Sequence, residues 1–156
     1  MVKSYQAKLR DPAQDKYPDA ADIMSRSFTV LSQDTDIFTA MDVLLTHQIS
    51  GACVVDEDGK LIGFISEKDC LKIITEAAYH ENRAGGAVSN YMSTNVVTID
   101  VSDGLNQIAG LFIANPFRKI PVLNQGRLVG VVRRRDALRA ILDHEKKQNH
   151  SYEKHY

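Results

Sequence analysis

The sequence lacks the marks of several common protein classes. Its two cysteines, Cys53 and Cys70, lie in apolar segments and do not form a CxxC pair, so neither a disulfide framework nor a zinc site is indicated. No apolar run approaches the ~18 residues that a membrane span needs, and the opening MVKSYQAKLRD has no apolar secretory core. We therefore expect a cytoplasmic protein without a membrane partner, in which both cysteines are small buried apolar residues.

Strong charge and catalytic motifs are also lacking. The formal net charge of −1 gives no general reason to expect nucleic acid as a partner. The chain contains no nucleophile elbow, HExxH motif or P-loop, so we expect no enzyme and no catalytic residues. His144, His150 and His155 in the polar C-terminal tail have no carboxylate or thiolate framework beside them, and we expect solvated side chains there instead of a metal site.

The sequence does contain an internal repeat, in which one unit occurs twice. Residues 22–74 and 90–141 align with only single-residue gaps. GFISEKD in the first copy returns sixty-seven positions later as GVVRRRD in the second. The shared landmarks include a Met-Ser pair, a glycine and an aspartate, namely Met24-Ser25 and Met92-Ser93, Gly63 and Gly130, and Asp69 and Asp136.

Each copy predicts the order β-α-β-β-α. The helix is indicated by apolar residues at helical spacing, which in the first copy are Ile37, Met41, Leu44 and Leu45. Short apolar runs bounded by turns predict the strands, at Phe28 to Leu31, Ala52 to Val55 and Leu61 to Ile65, and at Val96 to Ile99, Ile120 to Leu123 and Leu128 to Val132. The predicted fold class is α/β (α+β). Because a unit of about fifty residues buries little surface alone, the two repeats should pack together with pseudo-two-fold symmetry, their small sheets covered by helices.

The same reading predicts five segments. They are an N-terminal arm (1–20), a first repeat (21–76), a linker (77–89), a second repeat (90–143) and a polar C-terminal tail (144–156). The linker is expected to lie on the surface, because Gly85-Gly86 interrupts the preceding helix.

The doubled motif has two interpretations. Ser66 and Asp69 fit a capping box, in which a hydroxyl and a carboxylate satisfy backbone groups at a helix start. The second copy retains the aspartate as Asp136 but carries Arg133 in place of the hydroxyl. A carboxylate retained without its capping partner indicates another role. A helix N-terminus with a hydroxyl and a carboxylate suits a nucleoside phosphate, whose ribose diol and phosphate they can bind.

These landmarks, together with the IPVL strand, resemble a tandem pair of CBS (cystathionine β-synthase type) domains, over about residues 21 to 143. In that family, paired repeats form a Bateman-type module with two clefts. Many such modules bind AMP, ADP, ATP or S-adenosyl compounds as regulatory ligands. The resemblance makes Asp69, Asp136 and Ser66 ribose-binding residues. It assigns the adenine pockets to Thr29, Val30, Ala52, Cys53 and Val54, and to Thr98, Ile99, Ile120, Pro121 and Val122.

The two copies differ in charge. Four basic and eight acidic residues lie between Met24 and Ile74, against seven basic and three acidic between Met92 and Leu142. The second copy is therefore the half suited to phosphate, and the predicted phosphate-binding residues are Arg118, Lys119, Arg133 and Arg135. The alternative is a solvated helix face that makes weak surface pairs. Arg133 would either grip a phosphate or fill the phosphate position itself.

The functional expectation is a regulatory module that senses an adenine nucleotide in a cleft between the repeats, with no catalytic cofactor. The alternative is a ligand-free dimerisation or docking module with degenerate nucleotide sites, which the irregular Cys53 and Arg133 would permit. A homodimer is expected because the helix containing Leu111, Phe112 and Ile113 has more apolar surface than one core-facing stripe uses. The sensor would act on its own assembly or on a separate effector protein.

Overall fold

A computed structural model describes residues 16–75 and 85–153, the last three by their backbone alone. The first repeat contains α1 (Ala20–Ile23), β1 (Val30–Ser32), α2 (Ile37–Thr46), β2 (Gly51–Val55), β3 (Leu61–Ser66) and α3 (Glu67–Cys70), and residues 72–75 are again helical. The second contains a 3-10 turn (Val88–Asn90), β4 (Ile99–Asp100), α4 (Leu105–Ala114), β5 (Lys119–Asn124), β6 (Arg127–Arg133) and α5 (Arg134–Glu153).

The predicted fold class and the order β-α-β-β-α are confirmed. Each repeat forms a three-stranded sheet, in the order β1-β2-β3 or β4-β5-β6. The first two strands of each sheet are parallel and joined by a helical crossover, and the last two form an antiparallel hairpin. β1 and β4 are shorter and begin later than predicted, at Val30 and Ile99. The reason is tertiary, because the segments before them bond to the other repeat.

Helix α2 shows how the sequence specifies these elements. The Asp36 carboxylate caps its start by accepting hydrogen bonds from the backbone N–H groups of Phe38 and Thr39, at 3.0 and 3.3 Å. Ile37, Ala40 and Leu44 follow at helical spacing and are buried, which fixes the face that packs on the sheet. Leu45, predicted to share this face, is instead 73% exposed.

Each repeat has its own apolar core, but neither core is complete without the other repeat. Val88 and Tyr91, which precede the second sheet, are buried in the first core, and Met92 packs against that core. Ala20, Ile23 and Met24, which precede the first sheet, pack in the second core in the same way. The N-terminal segments are therefore exchanged between the repeats.

Backbone hydrogen bonds fix this exchange at equivalent places. Ser25 and Val131 exchange two N–H to carbonyl bonds of 2.8 and 3.0 Å, and Phe64 and Ser93 exchange two of 2.9 Å. Each segment preceding a sheet thus runs beside the last strand of the other sheet. The matched pairs confirm the predicted pseudo-two-fold relation.

Two glycines permit this close approach. A Cβ atom on Gly130 would lie 2.5 Å from the Met24 Sδ atom and 3.0 Å from the Ser25 carbonyl oxygen. A Cβ atom on Gly63 would lie at the same distances from Met92 and Ser93. The repeated glycine is therefore a packing requirement between the repeats.

The predicted surface linker needs correction where it is described. Val88, assigned to a surface linker, is fully buried in the first core because it belongs to the exchanged segment; residues 77–84 of that linker lie outside the described part. The tail is helical to Glu153 as part of α5. The Tyr17 ring of the N-terminal arm stacks on His144, with centroids 4.3 Å apart.

The apolar helix α4 is less exposed than predicted. Phe112 is buried and Leu111 packs against the second core, so their apolar area is used within the chain. Ile113 points away from that core and is 87% exposed. Among the described helices, none combines the length and hydropathy needed to cross a membrane.

The exchange predicts a stability effect of Gly130→Ala. The added methyl group would force Met24 or the Ser25 backbone to move, and overpacking of this kind typically costs about 1–3 kcal/mol of unfolding free energy. Urea denaturation would measure this loss.

Gly110→Ala is the matched control, because a Cβ atom there meets nothing within 4 Å and alanine favours a helix by about 1 kcal/mol over glycine. The control should unfold at an equal or higher urea concentration than the wild type. Equal stability of Gly130→Ala and Gly110→Ala would contradict the tight contact between the repeats.

Candidate functional site

A cavity of about 300 Å³ lies between the two repeats. The first repeat contributes most of its wall and the second repeat closes it from the opposite side. It is lined by Ser25, Ser27, Phe28, Thr29, His47, Ile49, Gly51, Ala52, Cys53 and Phe64 of the first repeat, and by Lys119, Val131 and Arg133 of the second. We call this space the inter-repeat cavity. Its volume is at the lower end of the range for small-molecule sites.

Strand β2 supplies the small side chains of the wall. Gly51 leaves room for the Phe64 ring, which would overlap a Cβ atom at that position. Ala52 and Cys53 follow in the same buried strand. The Cys53 side chain is 1% exposed. Burial raises the pKa of its thiol to about 11, although the nearby Lys119 charge partly opposes the change.

Lys119 enters the cavity from the second repeat. Its ammonium group donates a hydrogen bond of 3.0 Å to the Gly51 carbonyl oxygen, which ties the start of β5 to the start of β2. Burial lowers the pKa of Lys119; the Cys53 charge opposes this and the Arg133 charge adds to it. The second repeat thus places a half-buried cation against an apolar wall of the first.

Arg133 and Asp136 form a closed pair at the start of α5. The guanidinium donates from Nε to Asp136 Oδ2 and from Nη2 to Oδ1, both at 3.0 Å, and the Arg133 backbone N–H donates to Oδ2 at 2.8 Å. Hydrogen bonding to this carboxylate and its charge raise the pKa of Arg133, against a small opposing effect of burial. Both carboxylate oxygens of the predicted ribose residue are therefore engaged by its own helix start.

The equivalent groups of the first repeat form the predicted capping box. The backbone N–H and the hydroxyl of Ser66 donate to Asp69 Oδ2 at 3.0 and 2.9 Å, and the Asp69 backbone N–H donates to the Ser66 hydroxyl at 3.1 Å. Lys72 contacts the other carboxylate oxygen at 2.9 Å. Arg133, which stands at the position equivalent to Ser66, thus replaces a neutral capping side chain by a charged one.

A second, wider depression of about 690 Å³ adjoins the cavity. The two spaces share Ile49, Lys119 and Arg133. We call the second space the basic groove, because it is lined by five cationic residues and one acidic one: Arg118, Lys119, Arg133, Arg134, Arg135 and Glu67, with Leu44, Leu45, Gln48, Ile49 and Ser50. A cavity with both polar and apolar lining residues therefore adjoins a positively charged groove.

The predicted site residues fall into three groups: those that line the cavity, those that line the groove and those that line neither. Three of the adenine-pocket residues, Thr29, Ala52 and Cys53, line the inter-repeat cavity with Lys119 and Arg133. All four predicted phosphate residues line the basic groove. The remaining predicted residues line neither space: Ser66, Asp69, Asp136, Val30, Val54, Thr98, Ile99, Ile120, Pro121 and Val122. Of these, Asp136 reaches the cavity edge only through Arg133.

The burial of the remaining predicted residues shows where they lie. Val54, Ile99, Ile120 and Val122 are buried in the two cores, so their side chains hold the sheets together. Val30 is 44% exposed. The ribose and adenine roles of these residues stay predictions.

Sequence reasoning missed several lining residues. Ser25, Phe64 and Val131 reach the cavity because of the exchange between repeats or the hairpin register, and His47 reaches it from the end of α2. The Met-Ser landmark was the signal that could have identified Ser25. In the described ranges, no group of three or more His, Cys, Asp or Glu side chains is placed to hold a metal ion.

Comparison with known proteins identifies relatives of both repeats. A family model for the CBS domain matches residues 20–76 and 88–143. An uncharacterized protein of Methanocaldococcus jannaschii is 25% identical over 139 residues, which are 89% of this chain and 46% of that protein. The chain thus spans about half the length of that relative.

Two solved structures share the fold. The structure of CBSX2 in complex with AMP has a TM-score of 0.72 at 24% identity, covering 81% of this chain and 97% of that one; CBSX2 is a protein of Arabidopsis thaliana. The CBS domain pair of protein MJ0100, in complex with 5-methylthioadenosine and S-adenosyl-L-methionine, has a TM-score of 0.64 at 24% identity, covering 80% of this chain and 96% of that one.

The raised pKa of Cys53 predicts a pH dependence of stability. Its thiol titrates near pH 9 in the unfolded chain but only at about 11 in the folded one. The contribution of the protonated Cys53 thiol to the unfolding free energy is therefore fully present below pH 9 and is lost as the pH rises to about 11. A shift of this size corresponds to about 2–3 kcal/mol at most.

Urea denaturation at several pH values between 8 and 11 would measure this loss. Cys53→Ala removes the titrating group, so its stability should fall less steeply over the same interval. Identical slopes for the two proteins would show that the Cys53 thiol is not titrating from a buried site.

Proposed function

Since this chain belongs to the CBS domain family, we propose that it is a regulatory module that senses an adenine nucleotide bound in the inter-repeat cavity. One observation carries the proposal: a cavity of about 300 Å³, whose wall includes the apolar residues Ala52, Cys53 and Phe64, adjoins a groove lined by five cationic residues. A nucleotide has the same division, with a flat apolar base at one end and anionic phosphate at the other. The adenosine group common to the ligands in the two structures named above supports adenine as the base.

The proposed binding mode assigns one part of the ligand to each part of the site. The base packs against Ala52 and Cys53, whose small side chains leave the space. The ribose lies near Ser25 and Asp136, and the phosphate lies against Lys119 and Arg133. Arg133 donates two hydrogen bonds to Asp136 Oδ2 and one to Oδ1. Because each carboxylate oxygen can accept two hydrogen bonds, Oδ1 retains a lone pair for a ribose hydroxyl.

A regulatory role fits this site better than a catalytic one. The reactive form of a cysteine is its thiolate, and burial keeps the Cys53 thiol protonated at neutral pH by raising its pKa to about 11. The groups around the cavity are suited to binding a ligand and to discriminating between ligands. A sensor of this kind acts by changing how the repeats meet each other, a second copy or an effector protein.

A second candidate function is a docking or dimerisation module that binds no nucleotide. Exposed apolar side chains favour it, because they lie on helices of both repeats: Phe38, Leu45, Leu71, Ile74, Ile113 and Leu138 are at least half exposed. The two functions are compatible, and a ligand-binding measurement separates them.

We predict that an adenine nucleotide stabilises the chain. At a hundred times its dissociation constant, a ligand of the folded state adds ~2.7 kcal/mol to the unfolding free energy. A thermal-shift panel of adenosine, AMP, ADP, ATP, S-adenosylmethionine, NAD and guanine nucleotides would detect this gain.

Asp136→Ala should weaken binding about ten- to a hundredfold, because ribose hydroxyls would lose a partner. Asp69→Ala is the matched control at the equivalent position of the other repeat and should leave this cavity's affinity unchanged. If no adenine compound stabilises the chain, the sensor function is wrong and the docking function remains.

We also predict a homodimer through the exposed apolar helix faces. Sedimentation at tens of micromolar should give twice the mass of one chain. Ile113→Glu with Leu138→Glu should yield a monomer if α4 and α5 form the interface, since each change puts a charge into an apolar contact. Leu45→Glu with Leu71→Glu tests the first repeat's face in the same way. A wild-type monomer would contradict the prediction.

A further inference from the structure

Two cations stand directly opposite each other at the mouth of the cavity. In the β5–β6 hairpin, Lys119 is the cross-strand partner of Arg133. Both side chains line the inter-repeat cavity and the basic groove. Like charges at directly opposed positions destabilise a sheet. The arrangement therefore costs stability unless an anion offsets it.

Within the described ranges, only Arg133 of these two cations forms an ion pair. Arg133 is paired with both oxygens of Asp136. Lys119 donates to the neutral Gly51 carbonyl, and among the described residues no carboxylate forms an ion pair with it. Glu67 also lines the basic groove, but it forms no ion pair with Lys119 in the part of the chain that the structure describes. The protonated Cys53 thiol and the Arg133 guanidinium line the cavity with Lys119, and burial together with the Arg133 charge lowers the pKa of Lys119. An anion next to Lys119 would relieve both the burial cost and the repulsion.

The first repeat shows that the fold does not require this charge pair. The equivalent cross-strand positions are occupied by Gly51 and Ser66, which are neutral. The hairpins otherwise match, and in both an N–H at the helix start donates to the residue before the first hairpin strand, from Glu67 to Ser50 and from Arg134 to Arg118. The two cations are thus a chemical feature of this cleft and not of the hairpin.

We propose that Lys119 makes a 5′-phosphate a requirement for binding in the inter-repeat cavity, so that the ligand class is phosphorylated adenosine and not a thioether or sulfonium derivative of adenosine. This inference rests on the proposed adenine site. A phosphate ester carries a charge of about −1.5 to −2 at neutral pH and several acceptor oxygens. In a partly desolvated site it attracts an ammonium group strongly, whereas a sulfonium is repelled and a thioether is indifferent.

A matched pair of ligands tests the inference on the full chain. AMP and 5′-methylthioadenosine share the adenosine group and differ at the 5′ substituent. Isothermal titration should show AMP binding at least tenfold more tightly than methylthioadenosine, with S-adenosylmethionine weaker still. Raising the salt concentration should weaken AMP binding and leave methylthioadenosine binding almost unchanged.

Variants assign the preference to Lys119. Lys119→Met keeps the alkyl stem without the charge, and it should weaken AMP binding about tenfold or more while methylthioadenosine binding stays the same or improves. Lys119→Arg retains the charge and should retain the preference. Lys60→Met makes the same change in the exposed turn before β3, outside both spaces, and should alter neither ligand.

The outcomes separate this inference from the proposed function. Equal binding of AMP and methylthioadenosine by the wild type would overturn the phosphate requirement while leaving an adenine sensor intact. An unchanged AMP preference in Lys119→Met would overturn the role of Lys119. Binding of none of the adenine compounds would overturn the adenine site itself. Because the wild-type comparison needs no variant, the test stands even if Lys119→Met fails to fold.

Discussion

The reciprocal exchange of the segments before each sheet is the constraint on which the rest of the structure depends. Met24 packs against Gly130 and Met92 against Gly63, and paired backbone bonds at Ser25 and Ser93 hold these contacts in place. Each core therefore contains residues of both repeats. The exchange also builds the site, because the segment that crosses at Ser25 continues through Thr29 as one wall of the inter-repeat cavity.

Much of this architecture could be predicted from the sequence. The two copies share their Met-Ser, glycine and aspartate landmarks, and periodicity placed the helices and strands within a few residues. Local patterns are sufficient for such elements, because hydrophobic period and turn residues act within a short stretch of chain. Val88 shows the limit: Gly85-Gly86 indicated a surface linker, but a partner core distant in sequence determines that this valine is buried.

Individual residues of the site could be predicted from the sequence, but the contacts between them could not. Four of the five basic residues of the groove followed from the resemblance and from the charge difference between the copies. The sequence did not show that Arg133 would engage both oxygens of Asp136, or that Lys119 would reach the Gly51 carbonyl of the other repeat. Such contacts depend on side-chain reach and on how two sheets meet, and neither is encoded in spacing along the chain. For the same reason, His47 and Phe64 had no local signal.

The interlocked cores also govern how the two halves can diverge. A repeated unit arises by duplication of a coding segment, so both copies begin alike. A change at a methionine–glycine contact in one copy disturbs the core of the other, so those positions are constrained jointly. Positions 51 and 119, and 66 and 133, lie outside the two cores and already carry different residues. Because the two cores interlock, neither repeat can change its core contacts alone. The residues at the mouth of the cavity are not constrained in this way, so the two copies are free to differ there.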